Sequence, residues 1–111
     1  MSVEKENQKD NLENNIKRLS LSYCYKVNNF LPISKLDKLE SLNLTKTKVS
    51  DLSFLEANKK LRELNIDGCW DIKEITFPKL EPLEKLCIGS LKISKSLLFE
   101  KLKNLKKLSS W

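Results

Sequence analysis

One short segment returns every 22 or 23 residues along this 111-residue chain, and that period limits the folds open to it more than any other feature. Ile16-Lys-Arg-Leu19-Ser-Leu21-Ser-Tyr-Cys24 recurs as Leu39-Glu-Ser-Leu42-Asn-Leu44-Thr-Lys-Thr47, as Leu61-Arg-Glu-Leu64-Asn-Ile66-Asp-Gly-Cys69 and as Leu83-Glu-Lys-Leu86-Cys-Ile88-Gly-Ser-Leu91. A fifth copy opens at Leu105-Lys-Lys-Leu108, so the start-to-start spacings are 23, 22, 22 and 22 residues. A fixed period overrides local propensity, because each unit must bury its apolar face on the next. Alternation across Leu42-Asn43-Leu44 or Leu64-Asn65-Ile66 sends aliphatic side chains to one face of a short strand and polar ones to the other. Strands one period apart can then pair in parallel. Val27, Val49, Ile72 and Ile93 close the first half of each unit. The return segments, Phe30-Leu31-Pro-Ile33 through Leu36, Leu52-Ser-Phe54-Leu55, Ile75-Thr-Phe77-Pro78 through Leu80, and Leu97-Leu98-Phe99 through Leu102, are expected to plug the other side.

The pattern resembles the leucine-rich repeat family, L-x-x-L-x-L-x-x-N/C-x-L, over residues 16–111. The resemblance implies an α/β fold: a right-handed solenoid with a short curved parallel sheet on its concave face and short helices or 3₁₀ turns on its convex face. Its repeats would run 16–38, 39–60, 61–82 and 83–104, with an incomplete one at 105–111. At the ninth position of a repeat the buried side chain must hydrogen-bond the backbone of the turn, which Cys24, Thr47 and Cys69 can do. Leu91 cannot, so the fourth repeat is expected to turn differently or leave backbone groups to water. The first and third repeats carry one extra residue before the closing aliphatic, a spacing similar to cysteine-containing repeats, and the mixture fits no single subfamily.

The ends of the chain read less regularly. Residues 1–15 are polar and form a leader that is disordered or weakly helical. Ser96 to Trp111 fit two templates: a return segment followed by a fifth strand, which the maintained spacing favours, or one basic amphipathic helix capped by Ser96 with Leu98, Leu102 and Leu105 on a face. A chain stopping inside a repeat reads as part, or a relict, of a longer array.

Composition removes most catalytic readings. The absence of histidine excludes Ser-His-Asp and Cys-His nucleophiles, imidazole metal sites and a histidine proton switch. Two glycines, Gly68 and Gly89, cannot build a phosphate-cradling loop, and Asp67 with Asp71 is too thin a pair for a metal or glycosidase site. No enzyme activity, cofactor or metal is expected. Three cysteines without C-x-x-C spacing suggest neither a disulfide framework nor a zinc ribbon. With no export signal and no apolar stretch near the roughly 20 residues of a membrane span, an intracellular location, cytoplasmic or nuclear, is expected. The net charge of +6 is concentrated late: residues 1–35 carry six bases and four acids, 36–78 seven and eight, and 79–111 eight and three.

In a repeat array the outward strand positions line up as columns. The first is Arg18, Ser41, Glu63, Lys85 and Lys107, the second Ser20, Asn43, Asn65, Cys87 and Ser109, and the third Ser22, Thr45, Asp67, Gly89 and Trp111. A small, polar centre flanked by mixed charge suits hydrogen bonding to a polypeptide and lacks the apolar centre of an obligate interface. The expected function is therefore protein recognition through Arg18, Ser20, Ser41, Asn43, Thr45, Glu63, Asn65, Asp67, Lys85 and Cys87. The alternative is peripheral electrostatic binding of nucleic acid or anionic membrane through Lys101, Lys103, Lys106 and Lys107, against which the mixed charges of the first two thirds weigh. Cys24 and Cys69 are expected in the core and Cys87 on the surface. Of Tyr23 and Tyr25 one should pack and one be exposed, while Trp70 either covers the core edge or anchors a partner. Asn65 and Asp67, facing away from the core, should be replaceable without loss of fold.

Overall fold

The computed structural model describes residues 15–110, so the polar leader up to Asn14 and the end of the third column at Trp111 lie outside the described residues. Each repeat forms a short strand around its second aliphatic position: β1 Arg18–Ser20, β2 Ser41–Asn43, β3 Glu63–Asn65, β4 Lys85–Gly89 and β5 Lys107–Ser110. They make one five-stranded parallel sheet in the order β1-β2-β3-β4-β5. Register follows the repeat, with Leu19, Leu42, Leu64, Leu86 and Leu108 facing one another across successive pairs. Leu42, Leu64 and Leu86 are buried while their strand neighbours Ser41, Asn43, Glu63 and Asn65 are half-buried, the alternation that a sheet covered on one face imposes. Beneath it Leu39, Leu44, Leu61, Ile66 and Leu83 are fully buried in one cluster that also takes the return segments.

A tight turn follows each of the strands β1 to β4. The amide of Cys24 donates to the Leu21 carbonyl at 3.0 Å, that of Thr47 to Leu44 at 3.1 Å, that of Cys69 to Ile66 at 3.1 Å and that of Leu91 to Ile88 at 3.0 Å. In the first three the left-handed residue is third in the turn: Tyr23 (φ 65°), Lys46 (φ 54°) and Gly68 (φ 72°). In the fourth it is second, Gly89 (φ 58°). The cause lies in the second column. A side-chain oxygen there accepts from the amide two residues on, Ser20 Oγ from Ser22 at 3.3 Å, Asn43 Oδ1 from Thr45 at 2.9 Å and Asn65 Oδ1 from Asp67 at 3.0 Å, which starts the turn. Cys87 supplies no such oxygen, β4 continues to Gly89, and its register with β5 shifts between Cys87 and Gly89. The fourth turn thus differs, as Leu91 led one to expect, although the second column also drives the change.

The return segments hold 3₁₀ helices at Leu31–Lys35, Ser53–Ala57 and Glu74–Thr76 and one α-helix, α1, at Lys95–Lys101. Phe30, Ile33, Leu36, Leu52, Leu55, Phe77, Leu80, Leu98 and Leu102 are the buried plugs. Leu31, Ile75 and Phe99 are not: they are 64, 92 and 66 % exposed. A short helix turns one stripe inward, so Leu98 in α1 and Leu102 at its C-cap, four apart, are buried and the adjacent Phe99 is rotated away. Helix then strand is the arrangement of 96–110, but the N-cap is Ser94, whose Oγ accepts from the Leu97 amide at 3.3 Å, and not Ser96. Two asparagines tie neighbouring returns together. Buried Asn58 donates from Nδ2 to the Ile33 and Leu36 carbonyls at 2.9 and 3.2 Å, and Asn104 donates to Glu81 at 2.7 Å.

Candidate interaction face

Parallel pairing in strict register brings the sequence-predicted residues together on the polar face of the sheet. Arg18, Ser41, Glu63, Lys85 and Lys107 are cross-strand partners in sequence, as are Ser20, Asn43, Asn65, Cys87 and Ser109. Glu63 is the hub of the first column: Oε2 lies 3.8 Å from Arg18 Nη2 and Oε1 lies 3.5 Å from Lys85 Nζ. A further column, one residue before the strands, alternates in sign through Lys17, Glu40, Arg62, Glu84 and Lys106. There Glu84 Oε1 is 3.3 Å from Arg62 Nη2 and 3.8 Å from Lys106 Nζ, and the hydrogen bond from Arg62 holds the Glu84 carboxyl below its ordinary range. Pairs this exposed are screened by solvent and add little to stability; they mainly fix the orientation of the side chains.

The second column is narrower in its chemistry than its composition suggests. Each Asn Oδ1 is committed to a turn amide, so Asn43 and Asn65 present their Nδ2 groups, one strand apart, as donors. A shallow depression of about 250 Å³ runs over Ser41, Asn43, Glu63, Asn65, Lys85 and Cys87. Thr45 is a correction: it is buried, and its hydroxyl donates to Asn43 Oδ1 at 2.6 Å, so it braces the column from behind. Asp67 stays half-buried at the strand end. Asn65 is a second correction, because its side-chain Oδ1 accepts the Asp67 amide that starts the turn, so replacing it is expected to loosen that turn as well as change the face.

The cysteines separate differently from expectation. Cys69 is fully buried, and its thiol donates to the Leu44 carbonyl at 2.8 Å, which also accepts from Thr47 Oγ1 at 2.9 Å. Burial pushes the Cys69 thiol up. Cys24, expected in the core, is half-buried like Cys87, because β1 lies at a sheet edge among the described residues. Brief alkylation of the folded protein should therefore label both Cys24 and Cys87 about tenfold or more faster than Cys69. Peptide mass mapping reads the order, and a Cys69 labelled as fast as the others would place it outside the core.

Tyr23 and Tyr25 are both exposed, at 54 and 55 %, with rings 6.4 Å apart and edge to face. Neither packs inward, and Tyr23 holds the left-handed position of its turn. Trp70 is 67 % exposed. Lys103, Lys106 and Lys107 are exposed and Lys101 is half-buried. The strand columns stop short of Tyr25, Lys48, Trp70 and Lys92, although the same repeat register aligns those four as well.

Among the described residues no group of three or more His, Cys, Asp or Glu side chains could hold a metal ion, and no helix is long and apolar enough to cross a membrane. Comparison with protein families, with curated proteins and with solved structures finds no match to this chain.

Proposed function

We propose that the chain is a non-catalytic recognition module of the leucine-rich repeat kind, an intracellular solenoid whose polar strand face is concave and takes a polypeptide partner. The observation that carries this reading is the in-register column Ser20, Asn43, Asn65, Cys87 and Ser109. Small side chains there let a partner backbone come close, and the Asn43 and Asn65 amides, on neighbouring strands spaced about 4.8 Å, are donors suited to its carbonyl groups. Fixed strands supply the orientation that loops cannot.

Ser41 and Glu63 border this column without holding a turn, so Ser41→Gln and Glu63→Gln change it without setting like charges opposite Arg18 and Lys85. A partner recovered from native extract by the full chain should bind the double variant about tenfold or more weakly, at an unchanged melting temperature. Neutralising Lys103, Lys106 and Lys107 should leave affinity nearly unchanged at physiological salt. Affinity lost on lysine neutralisation and kept in the Ser41/Glu63 variant would reject the sheet-face reading.

A further inference from the structure

Both tyrosines and the described tryptophan stand on one edge of the molecule, in the turns where β1 and β3 end. Counted from the start of each repeat, Tyr25, Lys48, Trp70 and Lys92 share one position, so ring and ammonium alternate in the sequence of the edge; Tyr25 and Trp70 stand in the additional turns of the first and third repeats, where the Val27 and Ile72 amides donate to the Cys24 and Cys69 carbonyls at 3.4 and 3.3 Å. All four are exposed. A second pair, Tyr23 and Lys46, stands in the turns of the first two repeats. Lys46 is held in place: its Nζ lies 5.3 Å above the Tyr23 ring, and its stem lies so close over Gly68 that a Cβ there would meet Lys46 Cγ at 2.5 Å. One lysine thus spans from the tyrosine turn to the turn just before Trp70. Beside Trp70, a cleft of about 310 Å³ is lined by Ile72, Leu91 and Ile93 together with Glu74, Ser90 and Lys92. It lies where the early turn at Gly89 and the loss of a ninth-position Cys or Thr alter the fourth repeat.

We propose that this turn edge binds single-stranded nucleic acid, with bases stacked on Tyr25 and Trp70 and phosphates met by Lys46, Lys48 and Lys92. Exposed rings offer planar apolar faces to any base, and cations between them neutralise the backbone that joins the bases. An acidic peptide would use the lysines but not the bare rings. A duplex would present phosphates but keep its base faces stacked and hidden. Asp71 beside Trp70, Glu74 in the cleft wall and Asp67 just after β3 oppose a polyanion, while the Asp51 carboxylate is occupied by the Ser53 amide and hydroxyl at 2.8 and 2.6 Å. The edge lies at the opposite end of the strands from Lys106 and Lys107 and beside the sheet face, so it is a second surface, separate from the one proposed for a polypeptide.

The test is fluorescence anisotropy of a short fluorescein-labelled oligothymidylate titrated with the full chain, with tryptophan quenching as a second readout. Trp70→Ala and Tyr25→Ala should each weaken binding about tenfold, and Trp70→Phe should restore most of the loss. Lys48→Gln with Lys92→Gln should weaken it and flatten its dependence on salt, whereas Asp71→Asn should tighten it. These side chains are exposed, so circular dichroism and melting temperature should stay unchanged. Three outcomes overturn the proposal: no binding of the oligothymidylate, equal loss on neutralising Lys103, Lys106 and Lys107, or equal affinity for polyglutamate or duplex with the same dependence on Trp70.

Discussion

Leu64→Ala should lower the stability of the folded chain by about 2–5 kcal/mol, the cost of removing buried methyl groups and leaving a cavity. Leu64 is 2 % exposed at the centre of β3, opposite Leu42 on one side and Leu86 on the other. Truncation therefore opens a hole shared by three repeats, which no single return segment can collapse to fill. Small domains hold about 5–15 kcal/mol in total, so the variant should melt far below the parent or fail to fold at 25 °C. Leu31→Ala, at a residue 64 % exposed, is the control and should melt with the parent. A Leu64 variant as stable as that control would mean that β3 is out of register with its neighbours.

Asn58→Asp should be comparably damaging at neutral pH, for an electrostatic reason. Asn58 is 1 % exposed and directs Nδ2 at the carbonyl oxygens of Ile33 and Leu36, while its own Oδ1 is buried with no partner among the described residues. An aspartate there puts a buried charge against two acceptors, a loss of about 3–5 kcal/mol. Its folded pKa would be raised above the unfolded value of about 3.9, so the loss grows as pH rises above that value and fades as pH falls toward it, when the protonated acid can again donate. Urea melts at pH 7 and near pH 4 should show the variant approaching the parent only under acid conditions. Equal deficits at both would assign the effect to packing. Asn58→Leu, which removes the donor without adding charge, should cost less, about 1–3 kcal/mol, at either pH.

What could be read from the residues alone divides along the repeat. The strand half obeys a strict period, so the burial of Leu42, Leu64 and Leu86 and their pairing in register follow from counting positions. In the return half the units differ in length and helix type, and apolar residues there do not all face inward. Leu31, Ile75 and Phe99 look like plugs in one dimension, but which side of a one-turn helix is covered depends on the neighbouring repeat. Asn58 and Asn104 look like loop asparagines, because the carbonyls they meet come from residues 22 to 25 positions earlier in the chain. On the candidate face the columns were legible and their hydrogen-bond duties were not: Asn43, Asn65 and Thr45 are polar and short in sequence, and only turn geometry shows which of their atoms are already engaged.

The strands follow one another across the sheet in chain order, and this bears on how the molecule assembles. Leu42 to Leu64 and Leu64 to Leu86 are each 22 residues apart, so every pairing closes a loop of nearly the same length and the same entropic cost. No late step requires distant parts of the chain to meet. Assembly can start at whichever adjacent pair forms first and extend outward by one strand at a time, and a defect in one repeat halts growth on its own side while the pairs already formed on the other side remain.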